Sequence, residues 1–385
     1  MTEPFDMGLV QRGARVRRTP FYEATQRYGP KGYTVYNHMY FPIRFSSFEE
    51  EFDALLNGVT LWDVAVERCL EISGRDGFRF AQLLTPRNLA RCAVGQAKYV
   101  LMCDADGGII NDPVLTRMDE NTFWFALASS DALLFARGLK NAYPDLDVVI
   151  REAQAAPLQI QGPKSKPLML DLIGDGIAGL KYYHWTHAAI AGVPVVITRT
   201  GWTSELGYEV YVTDVTKGNE VYEEIMRVGQ PHGIQPTGPS DIRRVEGGIL
   251  NWGADMTYED NAFEVGLARL VDFDLVDSEC LSIAAYRKIK TGGVGRKLNG
   301  VTLDGEPFPD LNNVKWPASI DGSVVGKVTS AVYSPRLNQN IGYCWLPAEL
   351  SEPSNNVGVD SEWGPRMATV TPMPFVDPQK RIPVG

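Results

Sequence analysis

The sequence predicts an α+β body followed by an all-β C-terminal end, and three observations carry that prediction. Up to about residue 290, strand-like and helix-like segments alternate along the chain. From about residue 295, strong helical signals stop, and short runs such as KLNGVTLDG, GSVVGKVTSAVYSP, QNIGYCWL and RMATVTPMPFV are punctuated by Gly, Pro and Asn, as in a β-barrel or sandwich. The length of 385 residues gives room for two or three domains.

The elements follow in order. SSFEEEFDALLN (46–57) reads as a helix, with a serine cap, early glutamates and apolar residues at helical spacing. LWDVAVERCLEIS (61–73) alternates like a strand, and GRDGFRFAQLLT turns into a helix. The clearest hairpin comes next: KYVLMC (98–103) runs out, DADGG (104–108) turns, and residues 109–118 run back. TFWFALAS (122–129), PLQIQG and VPVVITRTG are strand-like, while SSDALLFARGLKNA and KGNEVYEEIMRVGQPHG are helical.

Composition excludes several classes. Hydrophobic residues at 44% and charged residues at 22% rule out a disordered chain, a collagen and a small disulfide scaffold. Lys and Arg total 37 against 47 Asp and Glu, a net charge of −10 with no basic block, so nucleic acid and anionic lipid are poor partners. No apolar run reaches the ~18 residues of a membrane span. The N-terminus lacks a signal-peptide core. Cys69, Cys92, Cys103, Cys280 and Cys344 are scattered without a CxxC pair, so they read as reduced thiols in a cytoplasmic protein. The expected partner is a small molecule.

Weak motifs are set aside on context. GDGIAG (174–179) has the glycine spacing of a dinucleotide loop, but it follows a helical segment and lacks the acidic residue about 20 positions on. His184 and His187 could share a helical face as metal ligands, but no Cys or His cluster accompanies them and no metal is expected. The DADG start of a calcium loop has no later ligands, which leaves a turn.

Two carboxylates stand out. Asp112 lies among Ile109, Ile110, Val114 and Leu115, where desolvation should raise its pKa toward neutrality; it is a candidate proton acceptor or a structural, hydrogen-bonded aspartate. Glu209 lies between Tyr208 and Tyr211 and close to Trp202. Aromatic faces beside a carboxylate suit a flat, donor-rich heterocycle, and the same faces suit a cationic methyl donor. Half-buried strand residues would give the same pattern.

Taken in order, RRTPFYEA (17–24), LWDVAVERCLEISGRDG (61–77), KYVLMCDADGGIINDPV (98–114), LQIQGPKS (158–165), TRTGWTSELGYEVYV (198–212), DIRRVEGGILNWGADM (241–256), NAFEVGL (261–267) and VGKVTSAVYSP (325–335) resemble the aminomethyltransferase family, the folate-dependent glycine cleavage T-proteins and their relatives. Within it, KGYTVYNHMYFP (31–42), NDP (111–113), Trp202 and Tyr211 resemble the dimethylsulfoniopropionate (DMSP) demethylase branch. The chain departs from that branch at TSEL (203–206), which leans toward T-proteins, and at GPSD (238–241); Ser240 stands where T-proteins have an arginine.

The resemblance implies a three-domain fold: a discontinuous folate-binding α+β domain over 1–60 and 150–258, a second α+β domain over 61–149, and a C-terminal β-barrel domain over 259–385. It implies tetrahydrofolate as cofactor and transfer of a methyl group from DMSP to its N5, giving 5-methyltetrahydrofolate and methylmercaptopropionate. Glu209 would bind the pterin edge, Tyr99 would contact the folate, and Asp112 would orient N5 or take its proton. Trp202 and Tyr211 would hold the donor, with Tyr36, Met39 and Tyr40 completing its pocket. Rival readings are demethylation of a methylated amine or methoxy-aromatic, aminomethyl transfer, and non-catalytic folate binding.

Overall fold

A computed structural model describes residues 13–385. Its centre is a six-stranded sheet in the order Trp185–Ile190, Val193–Thr198, Gly207–Val212, Ala156–Gln161, Thr60–Asp63, Gln235–Pro236. Strands of this sheet are two-faced because side chains alternate. Leu61, Leu158, Ile160, Ile197, Tyr208, Val210 and Val212 face one way and bury against helices Tyr22–Arg27, Ser165–Ile173 and Gly218–Gly229. The opposite face carries polar and aromatic residues and is covered by a second layer.

That layer holds a five-stranded sheet, Val149–Glu152, Leu70–Ser73, Phe123–Ala126, Val114–Arg117, Ala97–Tyr99, with helices Gly77–Leu84 and Ala132–Lys140 on its core. The chain leaves the central sheet after Asp63 and re-enters it at Ala156, on the neighbouring strand, where Asp63 stands opposite Leu158. The expected border near 60 thus falls within a strand of the central sheet. Near the C-terminus, strands between Arg296 and Thr371 close a six-stranded barrel around Trp316, Val328, Ala331 and Cys344. Helix Ile283–Gly292 precedes that barrel, within the expected 259–385 unit.

The helix expected from 46 spans Phe48–Asn57, and its start shows why: Ser47 Oγ accepts from the Glu50 amide while the Glu50 carboxylate accepts from the Ser47 amide, both at 3.2 Å. Residues 61–73 do not form one strand. A 3₁₀ turn, Ala65–Glu67, divides them, because Asp63 Oδ1 accepts the Ala65 amide at 3.1 Å and folds the chain back. The hairpin of 98–118 is likewise broken: Ala97–Tyr99 pairs with Val114–Arg117, and Met102–Cys103 with Ile109–Asn111. Asp112 and Pro113 sit in the interruption, where Pro cannot donate to a ladder.

The glycine-rich segment from Gly174 follows helix Ser165–Ile173. His187 lies in strand Trp185–Ile190, so it shares no helical face with His184. Among the described residues, no group of three or more His, Cys, Asp or Glu is placed to hold a metal. No helix there is long and apolar enough to cross a membrane. All five cysteines are free and buried.

Candidate active site

The polar face of the central sheet carries a row of residues directly opposite one another: Trp62, Gln159, Glu209 and Thr198. Glu209 is buried at 3% exposure and accepts four hydrogen bonds. Its Oε2 takes Thr200 Oγ1 at 2.7 Å, Tyr211 Oη at 3.0 Å and Thr198 Oγ1 at 3.2 Å. Its Oε1 takes only Gln159 Nε2, at 2.9 Å. A carboxylate offers about four lone-pair sites, two per oxygen, so Oε1 keeps one acceptor site for an incoming N–H. Burial pushes the Glu209 carboxyl above its ordinary value, and the four donors pull back.

Asp112 belongs to the inserted layer, and its charge, like that of Glu209, acts on Glu67. Asp112 is half-buried, and Tyr99 Oη donates to its Oδ2 at 3.0 Å. Burial pushes the Asp112 carboxyl up to about 7, against the Tyr99 hydrogen bond, with Asp255 adding repulsion. Its backbone is held by Asn111, fully buried, whose amide donates to Ala128 O at 3.0 Å and Ser130 Oγ at 2.7 Å. Asp112 thus has the raised pKa that its apolar flanks predict.

A third carboxylate, Glu67, was not singled out from the sequence. It ends the Ala65–Glu67 turn, and its carboxyl lies well above the ordinary range through burial and through repulsion by Glu209 and Asp112. Tyr36 stands in the same electrostatic neighbourhood: burial, Glu67 and Asp112 all raise its pKa.

An aromatic cluster adjoins these carboxylates. Met39, Phe41 and Trp62 are buried together, with Tyr36 and Trp202 packed against them. Phe41 stacks on Trp62 at 6.0 Å, and Trp62 tilts against Trp202 at 6.0 Å. The turn between Gly32–Tyr36 and Met39–Arg44 positions the cluster. Asn37 and His38 both have positive φ, 45° and 65°, as a two-residue turn demands. Asn37 Nδ2 then donates to Val66 O, Leu127 O and Ala128 O, pinning the turn beside Glu67.

Of the residues expected in a donor pocket, the structure gathers Tyr36, Met39 and Trp202. Tyr40 lies on the other face of its strand, its ring against Tyr22 and Tyr33. Tyr211 is buried beside Trp124, with its hydroxyl on Glu209, so it braces the carboxylate. Tyr183 holds a left-handed φ of 57° and packs edge-on against Tyr182 at 4.7 Å, and burial with the charge of Glu209 raises its pKa.

The site is tied to the barrel. Arg244, 1% exposed, donates to Asp255 at 3.0 Å, Asp241 at 2.6 Å and Ser330 Oγ at 2.9 Å, and its guanidinium carbon lies 5.7 Å above the Trp202 ring. The TSEL segment is tied down by Arg243 Nε on Glu205 at 2.6 Å.

The comparisons agree with this architecture. The family model described as GCVT N-terminal domain matches residues 8–275, and that described as Glycine cleavage T-protein C-terminal barrel domain matches 296–377. The chain is 34% identical to a dimethylsulfoniopropionate demethylase of Ruegeria pomeroyi, over 94% of this chain and 98% of that one. It is 30% identical to an aminomethyltransferase of Streptomyces avermitilis, over 88% and 92% of the two chains. The glycine cleavage system aminomethyltransferase T of Bartonella henselae has the same fold, with a TM-score of 0.84 at 19% identity over 94% of this chain and 98% of that one. A carboxylate row with a spare acceptor, a raised aspartate and a family match across both sequence segments lead to one conclusion: the chain belongs to the glycine cleavage T-protein family of aminomethyltransferases, as a transferase with tetrahydrofolate as its cofactor.

Proposed function

We propose that the chain is a demethylase that moves a methyl group from dimethylsulfoniopropionate to N5 of tetrahydrofolate, releasing 5-methyltetrahydrofolate and methylmercaptopropionate. The observation that carries the reading is the aromatic cluster of Tyr36, Trp62 and Trp202 beside Glu67 and Asp112, in a chain 34% identical to a DMSP demethylase. Aromatic faces and a carboxylate attract an onium charge.

Bound tetrahydrofolate supplies a nucleophilic secondary amine, N5. The residues of this chain then have separable tasks. Glu209 Oε1, with its one open acceptor site, receives an N–H of the pterin. Asp112 accepts the N5 proton as the N5–carbon bond forms and the carbon–sulfur bond breaks, with the electron pair leaving on sulfur as a neutral thioether. A carboxyl near pKa 7 is suited to that exchange at neutral pH. Tyr99 orients Asp112. Trp202 and Tyr36 hold the sulfonium, and alignment of the three reacting atoms contributes up to roughly 7–11 kcal/mol. The charge is quenched during transfer, so aromatic faces bind the cation without over-stabilising the ground state.

The partner in this reading is a small-molecule methyl donor. Five buried, unpaired cysteines favour a cytoplasmic setting. A methylated amine is the second reading, because the same aromatic cluster and carboxylate suit any methylated onium.

The test is incubation of the protein with tetrahydrofolate and DMSP, followed by mass spectrometry. Equal amounts of 5-methyltetrahydrofolate and methylmercaptopropionate, both lost in Asp112→Ala, are expected. Binding of tetrahydrofolate with neither product would move the assignment to another donor.

A further inference from the structure

The loop of residues 199–206 joins strands Val193–Thr198 and Gly207–Val212, and it serves both halves of the site. Thr200 makes the shortest of the four bonds to Glu209, at 2.7 Å, and Trp202 packs against the aromatic cluster. Of the three donors on Glu209 Oε2, Thr198 and Tyr211 stand on strands whose ladder fixes them. Thr200 stands in the loop, so its position depends on what holds the loop.

Two sets of contacts do so. From the sheet, buried Gln161 donates from Nε2 to Thr200 O at 3.3 Å and accepts Thr203 Oγ1 at 2.8 Å. From outside, the loop is gripped by a segment far along the chain. Arg199, 5% exposed, donates from Nη1 to Pro383 O at 2.7 Å and from Nη2 to Val384 O at 3.0 Å. Its guanidinium carbon lies 5.3 Å from the centre of the Tyr208 ring. Lys380 Nζ donates to Ser204 Oγ at 3.2 Å and to Gly247 O at 2.7 Å. Ser204 holds a left-handed φ of 53°, which a residue with a side chain keeps only when its surroundings enforce it.

The gripping segment is itself braced. Asp377 accepts the amides of Arg381 and Ile382 at 2.9 and 2.7 Å and so starts helix Arg381–Val384, in which Pro383 is buried. The Val376 amide donates to Glu246 O at 2.9 Å, one residue before Gly247. Lys380, Pro383 and Val384 all lie past residue 377, where the match to the family's barrel domain ends.

We propose that residues 380–384 latch the 199–206 loop, and that Arg199 is a positioning residue that keeps Thr200 on Glu209 and thereby sets the affinity for tetrahydrofolate. This deepens the folate reading above and rests on the role of Glu209 in it. A loop released from the latch spends only a fraction of its time with Thr200 in reach, and the apparent affinity falls by that fraction.

The experiment is equilibrium titration of tetrahydrofolate, followed by protein fluorescence with no methyl donor present. It compares the unaltered chain with Arg199→Met, Arg199→Lys, a chain ended after Gln379, Thr200→Val and Glu209→Gln, and with Thr200→Val combined with each latch change. Arg199→Met and the shortened chain should each bind about 3- to 10-fold more weakly, the effect of one hydrogen bond made part of the time. Arg199→Lys still reaches one carbonyl and should recover part of the loss. In the Thr200→Val background neither latch change should weaken binding further, because the group it positions is gone. A segment that only stabilised the fold would weaken binding by the same factor in both backgrounds, and that additive result would overturn the proposal. So would unchanged affinity in both Arg199→Met and the shortened chain. The shortened chain keeps Arg199 and carries the test if Arg199→Met fails to fold, which urea unfolding reports. If Glu209→Gln and Thr200→Val bind as the unaltered chain does, the reading of Glu209 fails and the latch proposal with it. That outcome appears in variants whose latch is intact, so it is distinct from the others.

Discussion

Tyr99 Oη donates to Asp112 Oδ2 at 3.0 Å, across the interruption of a hairpin whose two strands stop on either side of the aspartate. The bond favours the ionised carboxyl, while burial favours the neutral one, and burial wins: the group titrates near 7 instead of near its ordinary value.

The pH profile of the reaction follows. A proton acceptor works ionised, so kcat/KM should rise with pH through about 7 and level off above it. Tyr99→Phe removes the hydrogen bond that stabilises the ionised form, so the rising limb should move to higher pH. Steady-state rates from about pH 5 to about pH 9 check both statements, and Asp112→Asn should lose roughly 10²-fold or more in kcat. An unmoved limb in Tyr99→Phe would mean that another group controls the profile.

Tyr211 supplies one of three donors on Glu209 Oε2. Tyr211→Phe should therefore weaken tetrahydrofolate by about 3- to 10-fold, the effect of one lost hydrogen bond, with the KM of the donor unchanged. A variant that raised only the donor KM would place Tyr211 in the donor pocket after all.

Trp202 packs against Trp62 and lies under Arg244. Trp202→Leu should raise the KM of a sulfonium donor about 3- to 30-fold, the range of cation–π attraction, and leave folate titration unaltered. Equal weakening of a neutral donor analogue would show that shape, not charge, is what Trp202 reads.

Asp63 gives a stability test away from the chemistry. It is 2% exposed, accepts Thr19 Oγ1 at 2.6 Å and the Ala65 amide at 3.1 Å, and burial pushes it up to about 7. Because its folded value lies above the unfolded one, its contribution is fully present below the ordinary carboxyl pKa and is lost as pH rises through about 7. Asp63→Asn keeps an acceptor for the amide and cannot ionise. A rise from 3.8 to about 7 corresponds to roughly 4 kcal/mol, so the variant should gain on the order of 4 kcal/mol at alkaline pH and nothing in acid, as read from urea unfolding.

The buried Arg244–Asp255 pair joins the segment after the central sheet to barrel strand Ser323–Ser334 through Ser330 and Thr329. Arg244→Met leaves Asp255 buried and uncompensated, and should cost roughly 3–5 kcal/mol. Chemical denaturation measures it, and a loss no larger than that of a surface arginine would contradict the clamp.

Much of this site was legible from local chemistry, and the rest required tertiary pairing. Asp112 stood out because apolar neighbours in sequence are also its neighbours in space. Glu209 stood out through Tyr208 and Tyr211, yet its four donors come from strands Ala156–Gln161, Val193–Thr198 and Gly207–Val212 and the loop at Thr200, which no local pattern lists together. Glu67 escaped notice because the alternation of 61–73 runs straight through its turn; the bend is made by Asp63, whose role as a turn former is invisible beneath that alternation. The resemblance of segment 31–42 places Tyr40 with Met39 in the donor pocket, but adjacent strand residues point to opposite faces, and its ring packs on Tyr22 and Tyr33. The short Gly- and Pro-punctuated runs made the C-terminal end legible as a barrel or sandwich, and it is the pairing of Arg296–Leu303 with both Gln339–Pro347 and Gly364–Thr371 that closes it into a barrel.

The exit at Asp63 and the return at Ala156 lie on adjacent strands of one sheet, and the segment between them begins and ends with strands that pair with each other, Leu70–Ser73 with Val149–Glu152. Such an excursion has the topology of a cassette: both ends dock at one seam, and closing a loop this long costs only slightly more than closing a short one, since the entropy grows with the logarithm of length. The central sheet with its Glu209 row, and the cassette that brings Asp112, could therefore have diverged at different paces. The methyl donor could be exchanged through the cassette and the Tyr36–Met39 turn while the acceptor side stayed as it was.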